Sequence, residues 1–188
     1  MGDPKKLRKK YTPPRHPWQG SRILAEKPLV KEYGLKNKRE IYKAQSLLRD
    51  FAKQAKNLTP IKNLQSEKEK QQLLSRLAKL NLLSKNSELD DVLGLTINKI
   101  LDRRLQTLVH KKGLAKTIDQ ARQFITHGHI AIKDQKINVP GYLVNADEEA
   151  NINFVKDSNL SNSEHAERVI RKVEIKPKVN ENIENGSK

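Results

Sequence analysis

Two closely spaced helix patterns followed by short alternating segments, over residues 95–155, constrain the fold of this chain most. In the first pattern the apolar residues recur at steps of four, four and three and therefore share one helix face: Ile97, Leu101, Leu105 and Leu108. Thr96 is a suitable N-cap, and Gly113 follows the pattern where a left-handed residue ends a helix. The spacing predicts one continuous helix.

The second helix pattern begins shortly after a Lys-Lys-Gly turn. Thr117 and Gln120 have the spacing of a capping box, and Gly128 ends the pattern. Three short strands are predicted next, at residues 129–132, 137–139 and 151–155, with residues 133–136 as the turn between the first two. The sequence thus predicts an α+β unit, in which a helix-turn-helix-like pair is backed by a small β-sheet.

Further helices are predicted upstream of this unit. One begins at Asn37, with Glu40 in the capping position, and runs to about residue 57. Another begins at Ser66, with Glu69 as its capping partner, and a short one covers residues 87–93. These helices form a small helical unit whose core is modest on its own.

Proline content and polarity separate the remaining parts of the chain. Residues 1–36 contain five prolines and few apolar residues, which predicts an extended segment that does not fold alone. The chain is therefore predicted to have four regions: a basic extended N-terminal segment at 1–36, the helical unit at 37–94, the α+β unit at 95–155 and a polar, mobile tail at 156–188.

The positive charge is concentrated near the N-terminus. Lysine and arginine number 38 against 22 acidic residues, a net charge of +16, and residues 1–56 alone carry sixteen basic and five acidic side chains. Such an excess indicates a polyanionic partner, although basic runs are also common as solvated surface. No apolar run approaches eighteen residues, and no signal-peptide core follows the basic start. We therefore expect no membrane partner and a cytosolic location.

Candidate phosphate contacts lie in the N-terminal segment and on the first helix. In the segment these are Lys5, Lys6, Arg8, Lys9, Lys10 and Arg15. On the helix, Lys43, Arg49 and Lys53 lie off the apolar stripe. Trp18 is interpreted either as a base-stacking residue or as a packing anchor, and the anchor is the favoured interpretation.

Catalytic and metal-binding patterns are not found. The chain has no cysteine, which excludes disulfides and cysteine-ligated zinc, and it has no phosphate loop, His-Glu-x-x-His helix or Gly-x-Ser-x-Gly elbow. His127 and His129 flank Gly128, but two histidines without a third ligand make a weak metal site. We therefore predict a protein that is not an enzyme and needs no cofactor or metal.

Three segments, at residues 9–23, 35–58 and 95–155, resemble the archaeal, eukaryotic-like type of the S4 family of small-subunit ribosomal proteins. The resemblance implies a structural protein that binds the 5′ domain of small-subunit ribosomal RNA early in assembly and influences decoding accuracy. It also implies a cytoplasmic location in the small subunit, beside neighbouring ribosomal proteins and near the messenger RNA entrance. By position it implies these RNA contacts: Arg103, Arg104, Lys112, Lys116, Arg122, Gln123, His127 and His129.

Two alternatives remain at this stage. A small-subunit processome protein that binds precursor RNA shares this domain, and an RNA-modifying enzyme is conceivable if the helical unit holds an active site. Arg104 and Arg122 are predicted to present guanidinium groups free for phosphate, so that charge reversal leaves the fold nearly intact. The alternative is that they pair with an acid such as Asp102 or Asp119 and orient the helices.

Overall fold

A computed structural model describes residues 9–61, 63–84, 86–162, 165 and 167. The helices of the first part are α1 (Gly20–Glu32), α2 (Lys38–Leu58), α3 (Leu64–Lys79), α4 (Leu89–Leu93) and α5 (Ile97–Asp102). The second part contains α6 (Leu105–Lys111), α7 (Ile118–Thr126), β1 (Ile130–Ile132), β2 (Gln135–Lys136), α8 (Ala146–Glu149), β3 (Ile152–Phe154) and a 3-10 helix (Asn159–Ser161). The predicted α+β fold is confirmed.

The first hydrophobic core lies among α2, α3, α4 and α5. The apolar stripe of α2 supplies the side chains of Ile41, Phe51 and Ala55, each at most 2% exposed. The predicted bounds of α2 are right to within a residue, because this stripe has a clear helical period. The start of α3 was predicted wrongly: Asn63 is its N-cap, and Ser66 closes the capping box from inside the helix.

Helix α1 occupies residues that the sequence predicted to be extended, and Pro28 lies inside it. Its apolar residues form no stripe, so it depends on contacts with the rest of the protein. Glu26, only 3% exposed, pairs with Arg22 at 2.7 Å and with Lys38 of α2 at 3.4 Å. Tyr33, just after the helix, is buried in the first core. Tertiary packing therefore outweighs the helix-breaking tendency of proline.

The single helix predicted between Thr96 and Gly113 is divided into α5 and α6. Leu101 belongs to the first core and Leu105 to the second, so the break at Arg103 and Arg104 lies between the two cores. Backbone pairing with residues 140–144 replaces the helical hydrogen bonds there. Leu105 N donates to Tyr142 O at 2.8 Å, and Val144 N donates to Arg103 O at 3.0 Å. Because these partners are distant in the sequence, the spacing of the apolar residues does not reveal the break.

The second core packs α6 and α7 against a three-stranded antiparallel sheet in the order β2-β1-β3. Thr117 caps α7 as predicted, since its side chain accepts a hydrogen bond from Gln120 N at 3.1 Å. The predicted turn over residues 133–136 is too long. Lys133 adopts a φ of +57°, which closes the hairpin over two residues and pairs Ile132 with Gln135.

The mobile tail was predicted to begin at residue 156, and this is wrong for its first residues. Leu160 of the 3-10 helix is 5% exposed and belongs to the second core. The Oγ of Ser158, its N-cap, is hydrogen-bonded to His129 Nδ1 at 2.9 Å. Most of the predicted tail, and residues 1–8, lie outside the described residues. No helix in the described part of the chain has the length and apolar character needed to cross a membrane.

Candidate RNA-binding surface

The predicted basic residues of α2 share its outer face. At about 100° per residue, Lys43, Arg49 and Lys53 fall within an arc of about 120°, opposite the stripe that enters the first core. All three side chains are exposed, and Arg39, which the sequence analysis missed, is exposed in the same arc.

The N-terminal segment packs along the same face of α2. Thr12 N donates a hydrogen bond to Ser46 Oγ at 2.9 Å, and the ring of Tyr11 lies 6.4 Å from that of Tyr42. Ser46 and Tyr42 both fall inside the basic arc of the helix. The segment therefore extends the surface that we call the basic face: Lys9, Lys10, Arg15, Arg39, Lys43, Arg49 and Lys53, all exposed. Three further predicted contacts, Lys5, Lys6 and Arg8, lie outside the described residues.

In the α+β unit, some predicted contacts are exposed and others are not. Exposed side chains are those of Lys112, Lys116, Gln123 and His127. Lys112 Nζ donates to the backbone oxygen of Glu149, and His129 is half-buried against Ser158. Whether these residues contact RNA stays a prediction. Among the residues that the structure describes, His127 and His129 belong to no group of three metal-ligating side chains.

The prediction of free guanidinium groups is wrong for Arg104 and Arg122. Arg104 is 6% exposed and forms an ion pair with Glu40, while Arg122 Nη2 donates to the other Glu40 carboxylate oxygen at 2.8 Å. The alternative, arginines that pair with an acid and orient the helices, describes the structure. The acid is Glu40 of α2, not Asp102 or Asp119. A reversed charge at either arginine would face this carboxylate.

Arg103 is also directed into the protein. Its side chain is 8% exposed, and its guanidinium donates to Glu149 Oε2 at 2.7 Å and to Val144 O at 3.1 Å. The consecutive arginines thus hold different elements: Arg103 holds the segment around α8, and Arg104 holds α2. Neither presents its charge to solvent. The sequence does not show that these two arginines are paired and not exposed, because the acids that pair with them lie 46 and 64 positions away.

Gln106 and Gly34 complete the contact around Glu40. Gln106 is 1% exposed, and its Nε2 donates to Gly34 O at 3.0 Å and to Ile118 O at 3.1 Å. Arg122 Nη1 lies 3.3 Å from Gln106 Oε1 and 3.4 Å from Gly34 O. We call Gly34, Glu40, Arg104, Gln106 and Arg122 the junction cluster. It fixes α2 relative to α6 and α7.

Two opposing effects act on the pKa of the Glu40 carboxyl. Burial raises it, but hydrogen bonds and positive charge from Arg122 and Arg104 together outweigh burial, so the pKa lies below its ordinary value of 4.5. Glu40 is consequently ionised at neutral pH and balances the charge of the two guanidinium groups. Glu40 was predicted to cap α2, but its side chain makes the ion pairs instead.

The lowered pKa of Glu40 predicts a specific pH dependence of stability. A carboxyl whose pKa is lower in the folded state stabilises the protein above its unfolded-state pKa, and loses this effect as the pH falls through the folded-state value. The difference in unfolding free energy between the wild type and Glu40→Gln should therefore be constant near neutrality and shrink below about pH 4.5. Urea denaturation across this range measures it. A difference that stays unchanged at about pH 3 contradicts the assignment.

A cavity of about 320 Å³ lies between α2 and the α+β unit. Its charged lining comes from Glu40 and Lys43 of α2 and from Arg104 and Arg122. Apolar lining comes from Leu47 of α2 and from Val139 and Leu143. Lys43 therefore joins the basic face to the surface of the α+β unit.

A domain class and a family follow from comparison with known proteins. The helix pair and its small sheet define an S4 domain, and the S4 domain family model matches residues 103–149. The chain is 51% identical over 158 residues to small ribosomal subunit protein uS4 of Ignicoccus hospitalis, covering 84% of this chain and 95% of that protein. It is 48% identical over 176 residues to uS4 of Nanoarchaeum equitans, covering 93% of this chain and 96% of the relative. The chain belongs to the uS4 family.

Proposed function

We propose that this chain is a structural constituent of the small ribosomal subunit and binds small-subunit ribosomal RNA. The observation that carries the proposal is the basic face. Its seven exposed cationic side chains come from the outer face of α2, opposite a buried core, and from the N-terminal segment that packs on this face, in a chain of the uS4 family. A one-sided basic surface of this kind suits the phosphate backbone of a folded RNA. A cytoplasmic location follows from membership of the subunit.

The family resemblance extends the proposal to a place in the particle. The RNA target is the 5′ domain, and the protein supports early assembly and accurate decoding beside neighbouring small-subunit proteins and the messenger RNA entrance. This place in the particle is supported by similarity over most of the chain to proteins named as small-subunit components. Reconstitution of small subunits with and without the chain tests them through the yield of particles and their error rate.

Salt dependence of RNA binding tests the basic face directly. Affinity for a transcript of the 5′ domain should fall steeply with salt, with a log-log slope that corresponds to about 6 to 10 released counterions. Replacing Lys43, Arg49 and Lys53 together with glutamine should lower this slope by about 2 to 3, because each phosphate contact contributes about 0.7 to 0.9. Filter binding over a salt series measures both proteins. Deletion of residues 1–36 is less suitable, since it removes the buried Tyr33 and Leu35.

A matched control uses exposed lysines outside the basic face. Glutamine at Lys68, Lys79 and Lys99 removes the same charge from α3 and α5. The slope of this control should stay close to that of the wild type. Equal slopes for the two triple variants would show that net charge alone governs binding, and would overturn the assignment of the basic face.

The processome alternative is not favoured, because the relatives that align over most of the chain are named as small ribosomal subunit proteins. Co-sedimentation separates the two functions: we expect the chain in mature small subunits, and enrichment only in precursor particles would support the alternative. The relatives carry the name of a ribosomal protein, and no catalytic activity is proposed. Turnover of RNA by the purified chain would revive the RNA-modifying alternative.

A further inference from the structure

Trp18 is the only tryptophan of the chain, and its side chain is 90% exposed. The sequence interpretation that favoured a packing anchor is therefore wrong for the described fold. Large aromatic side chains usually contribute to a core, since burying one removes a large apolar area from water. Tryptophan is enriched where proteins contact other molecules, so an indole left in solvent beside a charged surface points to such a contact.

The backbone that carries Trp18 is held in place. Arg22 Nη2 donates to Pro17 O at 2.7 Å and to His16 O at 3.2 Å. The other nitrogen, Arg22 Nη1, donates to Glu26 at 2.7 Å and to Tyr42 Oη at 3.0 Å. Because Glu26 is buried and Tyr42 belongs to α2, this arginine fixes the Trp18 turn to both helices. A partner then meets an indole that is already positioned, which reduces the entropy lost on binding.

The charge around Trp18 indicates the chemistry of that partner. Residues 9–20 contain Lys9, Lys10 and Arg15 and no acidic residue, and the segment lies along the basic face. The residues directly before Trp18 are three prolines, Arg15 and His16. A flat aromatic group attached to a polyanion matches both the indole and the charges. Unpaired bases of RNA have these properties, and they stack on aromatic side chains.

We propose that Trp18 stacks on an unpaired base of small-subunit ribosomal RNA, next to phosphates that the basic face contacts. This inference rests on the proposed function and adds to it a residue that contacts an unstacked base. Stacking tolerates any base, because every base has an aromatic face. Trp18 therefore contributes affinity and register at a loop, bulge or junction, and does not select a sequence.

The single tryptophan makes the test direct. Binding of the 5′ domain transcript to the full chain should quench indole fluorescence, with a midpoint equal to the Kd from filter binding. Trp18→Ala should weaken binding about 10-fold, and Trp18→Phe should retain most of the affinity because phenylalanine still stacks. Neither variant should change the salt slope, since stacking releases no counterions. Melting temperatures should stay close to the wild type because the side chain is exposed.

Leu64→Ala is the matched control, because Leu64 is another large apolar side chain, 82% exposed, outside the Trp18 turn. It should bind RNA as the wild type does. If the wild type binds RNA without quenching and Trp18→Ala binds equally well, the inference is wrong and the proposed function stands. If RNA affinity is unchanged but Trp18→Ala no longer enters small subunits, the partner is a protein and the inference is also wrong. A wild type that does not bind RNA overturns the proposed function itself.

Discussion

Glu40→Gln is expected to lower the free energy of unfolding by about 3 kcal/mol, because it leaves two guanidinium groups short of an anionic partner. One carboxylate oxygen of Glu40 receives Arg104 and the other receives Arg122 at 2.8 Å. Glutamine replaces one of these acceptors with a donor, so one arginine then faces an N–H group. Arg104 is 93% buried by side-chain area and cannot turn to water without disturbing the contact. Urea denaturation measures the loss directly, and the melting temperature should fall by roughly 6–12 °C.

Asp50→Asn is the control for this substitution. Asp50 is an exposed acid on the same helix, and an exposed change of this kind alters stability by about 0.5 kcal/mol or less. Glu40→Gln should also retain RNA affinity per folded molecule, since it removes no cation from the basic face. Equal stability of the two variants would mean that the ion pairs of Glu40 do not hold α2 against the S4 domain.

Gly34→Ala is expected to destabilise the protein by about 3 kcal/mol, from a strained backbone and a steric clash together. Gly34 has a φ of +53°, where an L-residue with a side chain is disfavoured. An added Cβ would lie 2.5 Å from Ile118 Cγ2 and 2.9 Å from both Asp119 Oδ1 and Gln106 Nε2. Two of these neighbours belong to α7 and the third is the buried Gln106, so the junction cluster has to move apart. Denaturant unfolding of the full chain measures the effect.

Gly20→Ala provides the comparison for the glycine substitution. Gly20 is the first residue of α1, and a Cβ there meets no atom within 4 Å. Alanine at this position should leave stability unchanged or raise it slightly, because it restricts the unfolded chain. If Gly34→Ala unfolds at the same urea concentration as Gly20→Ala, Gly34 tolerates a side chain and the junction cluster is less closely packed than its distances indicate.

Helices with a regular apolar period could be predicted from the sequence. The stripe of α2 and the Thr117 cap of α7 act through residues three or four positions apart, so local spacing contains the necessary information. The part of the basic face that lies on α2 could be predicted for the same reason, since Lys43, Arg49 and Lys53 lie off that stripe. Its contact with the N-terminal segment could not, because Thr12 and Ser46 are 34 positions apart.

The roles of the arginines could not be predicted, because their partners are remote in sequence. Glu40 lies 64 positions from Arg104 and 82 from Arg122, and Arg103 pairs with Glu149 across 46 positions. In the sequence each arginine is indistinguishable from a surface cation, because only tertiary packing brings an acid beside it.

Trp18 was expected in a core but is exposed, because Arg22 fixes the turn that carries it to α1 and α2.

The class of fold, the basic character of the first third and a helix pair followed by short strands could all be inferred from the sequence, because these depend on composition and on short-range spacing. The S4 type of that pair came from the family resemblance. Three features required the folded structure: the helical conformation of residues 20–32, the break in the helix predicted between Thr96 and Gly113, and the division of the cations into exposed and paired ones. These features depend on burial and charge pairing, whose free energies come from contacts between segments distant in the sequence. Such contacts override local preference where they are strong, and they exist only once the chain has folded.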